Sequence, residues 1–442
     1  MGFGWRRKSR TAARQTGPGN GHPKGGPELE LVIPNHFLCP ISLDLMRDPV
    51  TVSSGITYDR ESIEKWLQGG NFTCPVTNQV LKSFDQIPNH ALRKMIQDWS
   101  VENRQFGIER VPTPRVPVTP FEVSWMLSGL TESIRSLDQD RCLESVRKIS
   151  SWGGESDRNR SCIDANGANS VLSAAFDAFA DQSVQRSSAL QLLEEILSAL
   201  SWMLPLDVEA HSFLGSPASL SRLVLFSKSG DLSTRRNAVL VLEELSSDPK
   251  YARQLGELEG AIEALYKLIE QPICPTVTKS SLGIISNLIS SSHSSELEFL
   301  EIGLLDTVLE LLVDSKGSIC ERALRVLDEL CGSEEGRDKA YDNCLAIPVL
   351  VKKLLRGTAL TNKYSVSTIW RLVKYEKSDE QGKALVEALQ VGAFQKLLLM
   401  LQCGCESETK EKATELLKLM NPYRAGLECI ESVDFKNIKR SF

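Results

Sequence analysis

A pattern of one small residue followed four and seven positions later by apolar ones returns five times in the second half of the chain. It reads Ala238, Leu242, Leu245, then Ser281, Ile285, Leu288, then Ala323, Leu327, Leu330, then Ser365, Ile369, Leu372, and finally Ala413, Leu417, Met420. Successive copies start 43, 42, 42 and 48 residues apart. Spacings of four and three put the members of each triplet on one face of a helix, and periods near 42 with three helices per unit are those of armadillo or HEAT arrays. A weaker copy sits at Ala189, Leu193 and Ile196, and Val146 to Trp152 suits a degenerate capping repeat. Gly260, Gly303 and Gly392 each open the preceding helix. One such unit cannot hide its apolar faces alone, so neighbours must stack, and the small Ala or Ser lets the helices approach closely. The expected product is a mainly α, curved solenoid with a groove, and the absence of β-branched runs between helices excludes a doubly wound sheet.

The chain is 442 residues long, too long for one compact core. Residues 1–30 carry Arg6, Arg7, Lys8, Arg10 and Arg14 and then a Gly/Pro run, with too little apolar surface to fold, so a disordered basic tail is expected there. Arg6 stands where a myristoylation signal wants Ser or Thr. Residues 33–107 read as a small α+β unit. Val50-Thr51-Val52 is its strand, Ser54-Gly55 its turn, and Asp59 caps a helix with Ile63, Trp66 and Leu67 inward. Asn89 caps a second helix whose apolar stripe is Leu92, Met95, Ile96 and Trp99. Prolines 112, 114 and 117 make residues 108–120 a semi-rigid spacer. Armadillo-like repeats then fill 121–425, and residues 426–442 form a C-terminal tail.

Apolar residues are 41% of the chain and charged residues 24%, an ordinary soluble balance. No run approaches the roughly 20 apolar residues of a membrane span, and no secretory signal opens the chain. An intracellular, cytoplasmic protein is expected; Arg6-Arg7-Lys8-Ser9-Arg10 reads first as part of a solvated tail, with a nuclear signal or an anionic-surface contact as the alternative. The 11 cysteines contain no CxxC pair, so neither a disulfide framework nor a tetrahedral zinc site is expected, and most should be buried small residues. Cys403 and Cys405 lack further ligands nearby. With a net charge of −6, nucleic acid is not the expected main partner.

The segment Phe37-Leu38-Cys39-Pro40-Ile41-Ser42-Leu43-Asp44-Leu45-Met46-Arg47-Asp48-Pro49-Val50 resembles the opening of a plant U-box. Ser54-Gly55-Ile56-Thr57-Tyr58-Asp59-Arg60, Trp66, Thr73-Cys74-Pro75-Val76-Thr77 and Ile87-Pro88-Asn89 fall at that family's spacings. The remainder is similar to the armadillo part of plant U-box E3 ubiquitin ligases, a family associated with immunity and stress signalling. The resemblance implies a RING-like fold whose two loops and central helix bind a ubiquitin-loaded conjugating enzyme, with a solenoid that binds the protein substrate. Carried onto this chain, the contact positions are Pro40, Ile41, Leu43, Trp66 and Pro75, while Ile63, Leu67 and Met46 read as core.

A zinc RING uses eight Cys/His ligands, whereas this segment offers Cys39, Cys74, His36 and His90. No metal or other cofactor is therefore expected. In the U-box family a polar network does that work, and Ser54, Asp59 and Asn89 are candidates, although turn and cap duties account for the same letters. No covalent nucleophile is implied, because the conjugating enzyme already carries ubiquitin as a thioester. Where many RING-type ligases place an Arg or Lys linchpin this chain has Asn78, a neutral donor. Two other classes, one enzymatic and one of pure binding, fit these residues less well. A thioester-forming ligase acting through Cys39 or Cys74 finds no nearby His–carboxylate arrangement and nothing that lowers a thiol pKa. A non-enzymatic armadillo adaptor would need the contact positions to have decayed, and Ile41, Trp66 and Pro75 are intact.

Overall fold

A computed structural model describes residues 33–113, 117–181, 187–376 and 382–426. These fall into two compact units that divide between residues 116 and 117. The expected N-terminal tail at 1–30, and residues 427–442 of the expected C-terminal tail, lie outside the described residues.

The first unit is a three-stranded antiparallel sheet with two helices. Strand β1 (Pro49–Thr51) is central, flanked by β2 (Thr57–Asp59) and β3 (Ile87–Pro88). The register pairs Val50 with both Tyr58 and Pro88. The strand thus begins one residue earlier than Val50-Thr51-Val52 suggested. Gly55, at φ +80°, closes the β1–β2 turn in the left-handed region that glycine enters without steric penalty. Helix α1 (Arg60–Gln68) follows β2 and α2 (His90–Glu102) follows β3. Val50, Tyr58, Ile63 and Ile96 are fully buried between them, together with Phe37, Met46, Leu81 and Val111. Met95 departs from the expected apolar stripe: it is 51% exposed, because only Ile96 and its i−4 and i+3 neighbours Leu92 and Trp99 turn toward the sheet. The expected spacer over 108–120 begins as part of this unit, since Val111 is buried and Gln97 Nε2 on α2 donates to the Val111 carbonyl at 3.1 Å.

One carboxylate locks the frame. Asp48, just ahead of β1, accepts from Arg60 Nε of α1 at 2.7 Å and from the Arg93 guanidinium of α2. The side chains of Asp48, Arg60 and Arg93 are only 12–19% exposed, so the ion pairs are poorly screened and each partner depends on the other for solvation lost on folding.

The second unit is a regular succession of helix triplets in which every third helix joins a common stack. Gln139–Glu155, Ser187–Leu200, Leu232–Ser246, Pro275–Ser291, Gly317–Leu330, Ala359–Lys374 and Ser407–Met420 pack each against the next. All five repeat triplets lie on these helices, and Ala238, Leu242, Leu245, Ser281, Ile285, Leu288, Ala323, Leu327 and Leu330 are buried. So are Ala189, Leu193 and Ile196 of the weaker copy. The turn into the second helix of several units rests on a left-handed glycine, Gly167, Gly260, Gly303 or Gly392. Helix starts are set by side-chain caps such as Asp231, which accepts from the Thr234 amide at 2.6 Å, and by Pro217, Pro249 and Pro275 in first turns, where a missing amide goes unneeded.

Along the stack, charged side chains tie helix to helix. Arg371 Nε meets Asp328 Oδ1 at 3.1 Å, and Lys374 Nζ meets Glu415 Oε1 at 3.0 Å. Arg322 reaches further. It crosses the helix Pro275–Ser291 at Gly283, donates to the Lys279 carbonyl at 3.0 Å, and pairs with Glu243 beyond it. A Cβ at position 283 would stand 2.3 Å from Arg322 Nη1 and 3.0 Å from Glu243 Oε1, so the bare glycine is what leaves room for the crossing.

Two stability contrasts follow. Asp48→Ala strands two poorly exposed guanidinium groups and should cost about 3 kcal/mol, whereas Lys65→Ala, which removes the solvent-exposed Glu61 pair, should cost less than about 0.5 kcal/mol. Denaturant unfolding of the full chain, followed at the first unit's tryptophans, checks both, and equal effects would refute the locking role of Asp48. Gly303→Ala, at φ +85°, should lose about 1–2 kcal/mol, while Gly129→Ala, in an ordinary helical position with open space around it, should gain up to about 1 kcal/mol. Opposite signs in thermal melts are the expected outcome.

Candidate functional site

Two loops of the first unit have the same backbone. In the first, the Cys39 amide donates to Asp44 O at 2.9 Å, the Leu43 amide to Cys39 O at 2.8 Å and the Met46 amide to Phe37 O at 2.9 Å, below a Leu38–Leu45 bridge. In the second, the Cys74 amide donates to Gln79 O at 2.8 Å, the Asn78 amide to Cys74 O at 2.8 Å and the Leu81 amide to Phe72 O at 3.0 Å, below a Thr73–Val80 bridge. Each loop turns through one left-handed residue, Leu43 at φ +60° and Asn78 at φ +56°. The signal for this equivalence was present in the letters, as Cys39-Pro40-Ile41-Ser42 against Cys74-Pro75-Val76-Thr77, a small apolar and hydroxyl motif written twice. Taken one at a time, the two loops do not reveal it.

Helix α1 brings the loops together. The first loop reaches it through Cys39, whose sulfur accepts from the Asp59 amide at 3.3 Å and from the Ser62 hydroxyl. The second reaches it through Trp66, whose Nε1 donates to Thr73 O at 2.8 Å. Ser62 and Trp66 are one turn apart and share a helix face. Pro40 is exposed, Leu43 is 68% exposed and Val76 is 51% exposed, while Ile41, Trp66 and Pro75 are half-buried, with Ile41 and Trp66 packed on the core below. Ile63 and Met46 are core residues and Leu67 is half-buried against them. The result is an apolar rim of loop, helix and loop in which the residues at the centre are braced from beneath, as an anchor for a partner must be. Asn78 is exposed on the second loop. Asn is among the few non-glycine residues that enter the left-handed region readily, so its position has a local conformational cause as well.

The three candidates for the polar network do different things. Ser54 Oγ donates to Cys74 Sγ at 3.1 Å and so holds the second loop directly. Asp59 stands at the start of α1, but its carboxylate does not cap the helix; Oδ1 accepts the amides of Arg47 and Asp48, both at 2.8 Å, and ties the exit of the first loop to β2. Its burial pushes the carboxyl pKa up despite those two amides. Asn89 is a cap, accepting the Leu92 amide at 3.0 Å, and its own amide extends the sheet to Pro49 O at 2.8 Å.

Tyr58 and Cys74 complete the network, a role the sequence did not suggest for either. Tyr58, fully buried on β2, places its hydroxyl 3.0 Å from Cys74 Sγ and accepts the Val76 amide at 3.3 Å. Burial alone would raise the Cys74 thiol, but hydrogen bonds from Ser54, Thr77 and Tyr58 more than offset it and bring the pKa down to about 6. Cys39 is lowered too: burial opposes, and the amides of Ser42, Asp59 and Ile41 prevail. The expectation that nothing nearby lowers a thiol pKa is thus overturned. The donors come partly from each sulfur's own loop, Ile41 and Ser42 for Cys39 and Thr77 for Cys74, and partly from segments the fold brings in, Asp59, Ser54 and Tyr58. Neither sulfur is reachable, since Cys39 and Cys74 are both fully buried, and a thioester route gains nothing from the shift.

Of the ten described cysteines five are buried, three half-buried and two, Cys344 and Cys403, exposed, which is fewer buried than expected. Among the described residues no group of three or more His, Cys, Asp or Glu is arranged to hold a metal ion, and no single helix is long and apolar enough to cross a membrane. In the second unit, a cavity of about 360 Å³ opens on the common helix stack and is lined by Leu240, Glu243, Asn287, Arg322 and Arg325 among others.

Residues 33–105 match the U-box domain, and residues 122–440 match the plant U-box protein ARM repeat region. U-box domain-containing protein 21 of Arabidopsis thaliana is 44% identical over 445 residues, covering 100% of both chains. U-box domain-containing protein 20 of the same plant is 43% identical, covering 94% of each. E3 ubiquitin-protein ligase PUB22, also from Arabidopsis thaliana, is 34% identical across 89% of this chain and 95% of its own. With both units accounted for end to end, the chain belongs to the plant U-box proteins that carry an armadillo repeat region.

Proposed function

We propose that this protein is an E3 ubiquitin ligase whose first unit docks a ubiquitin-loaded conjugating enzyme on the rim formed by Pro40, Ile41, Leu43, Trp66 and Pro75, and whose helical repeats select the protein substrate. The carrying observation is that two loops of one backbone pattern flank one face of α1 and present exposed apolar residues with a braced centre. Such residues have no folding reason to face water, and a partner that covers them recovers the area. Relatives named E3 ubiquitin-protein ligase, 34% and 33% identical over 89% and 88% of this chain, support the activity.

The rim supplies no nucleophile, and none is needed. The thioester on the conjugating enzyme is already activated, so the ligase contributes position. Holding donor and substrate on one chain converts attack by a substrate lysine into an effectively intramolecular step, the kind of gain that ordered geometry gives. Asn78 can donate one neutral hydrogen bond to ubiquitin or to the conjugating enzyme from the edge of the rim, weaker than a bidentate Arg. The repeats present the face on which substrate choice rests, with the groove at Leu240, Asn287 and Arg325 as a place for side-chain recognition.

A reconstituted assay with activating enzyme, a panel of conjugating enzymes and ATP tests this. Wild type should build conjugates with at least one conjugating enzyme, and Ile41→Ala, shown folded by its melt, should lower the rate roughly tenfold or more, as loss of a central contact does. Deleting residues 118–442 should leave conjugating-enzyme-dependent chain formation and abolish substrate choice. Full activity of Ile41→Ala would refute the rim, and silence with every conjugating enzyme would leave a binding adaptor.

A further inference from the structure

Three donors converge on the Cys74 sulfur, and a proton on it would leave either itself or the Tyr58 hydroxyl proton without a partner in the cluster. Ser54 Oγ donates to Sγ at 3.1 Å, and the Thr77 amide points at it from 3.5 Å. The Tyr58 hydroxyl, 3.0 Å away, already accepts the Val76 amide. Were Cys74 a thiol donating to Tyr58, the phenol oxygen would accept twice and its own O–H, on a side chain fully buried at β2, would be left to find an acceptor elsewhere. Were the thiol instead to accept from Tyr58 and Ser54, its own S–H, a weak donor, would be the buried group without a partner; either way a buried donor goes unmet, at a cost in stability. With Cys74 ionised, all of it resolves: Ser54, Tyr58 and Thr77 each donate to one negative sulfur, and Tyr58 keeps its free lone pair for Val76.

We propose that Cys74 sits in the second loop as a thiolate and acts, with Tyr58 and Ser54, as a positioning residue for conjugating-enzyme docking: the buried negative sulfur gathers three donors and fixes the loop that presents Pro75 and Val76. Val76 is tied to the sulfur through one relay, since its amide donates to the same tyrosine that contacts the sulfur. Charged hydrogen bonds are shorter and roughly twice as strong as neutral ones, which suits a loop that must keep one shape while exposed to water. This inference rests on the ligase reading for its consequence, not for its chemistry.

The titratable groups that face the sulfur are Tyr58, from β2, and, across Tyr58, Cys39 of the first loop; Ser54 and Thr77 contribute only neutral donors. The folded pKa of Cys74, about 6, lies below the ordinary thiol value of 9.0, so the stabilisation is fully present above pH 9, shrinks as pH falls from there, and is gone below about 6. Around pH 6 the loop should therefore slacken.

The test uses the full chain in two arms. In the first, thiolate absorbance near 240 nm is followed from pH 5 to 8 for wild type, Cys74→Ser and Tyr58→Phe. Wild type should show a step near pH 6 that is missing from Cys74→Ser and displaced to higher pH in Tyr58→Phe, which keeps the ring and loses one donor. In the second, the KM for ubiquitin-loaded conjugating enzyme is measured at pH 7.5 and pH 5.5 relative to discharge by the conjugating enzyme alone. Wild-type KM should rise roughly tenfold on acidification, the equivalent of one charged hydrogen bond, with kcat less affected, and Tyr58→Phe should show the rise at a higher pH. Identical absorbance of wild type and Cys74→Ser throughout would overturn the thiolate. A step near pH 6 with a KM that does not move would overturn its positioning role. Inactivity with every conjugating enzyme despite an intact step would remove the ligase reading and the docking role with it, while leaving the thiolate in place.

Discussion

A short loop that must present apolar groups to water cannot be held by those groups, because burying them would defeat the presentation. It has to be held from behind, through its backbone and its least exposed side chains. In this protein that constraint is met by polar atoms converging on two buried sulfurs and one carboxylate. Cys39 and Cys74 each accept donors from their own loop and from the sheet or α1, and Asp59 anchors the exit of the first loop. Behind them Asp48 clamps both helices through Arg60 and Arg93. The rim, the half-buried Trp66 at its centre and the docking function proposed for it all presuppose that scaffold.

Much of this order was legible in the letters, and the reasons differ by element. The repeats could be read because one helix face repeats its own requirement: a small residue where helices touch, then apolar residues four and seven positions on. Ala238, Ser281 and Ala323 announce themselves because the contact that needs them is local and recurs. The glycines at 260, 303 and 392 were equally plain as helix openers, and each takes the left-handed backbone that glycine enters without steric penalty. The rim residues Ile41, Trp66 and Pro75 were visible through resemblance, and the structure shows how α1 gathers them, which no spacing could reveal.

What stayed hidden is everything whose partner is distant in sequence or whose role depends on protonation. Arg93 meets Asp48 across 45 positions, and nothing near either residue marks the pair. Asp59 has the right letter and place for a helix cap, yet its carboxylate is drawn to two amides on a neighbouring segment that the strand pairing brings within 2.8 Å. Nothing beside Cys74 in the sequence marks its acidity, which comes from Thr77 in its own loop together with Ser54 and Tyr58, side chains assembled around it by folding. Local preference was overruled in each case by tertiary geometry that offered a better partner.

The reach of Arg322 over Gly283 to Glu243 has a consequence for how the rod comes apart. An array whose units touch only their immediate neighbours can fray one unit at a time from either end, with each loss leaving the next boundary no different from the last. An ion pair that skips a helix of the stack couples three successive units at once. Opening the middle one strands both ends of the pair, so this stretch should behave as a single block that opens together, with the fraying of the chain's ends halted on either side of it.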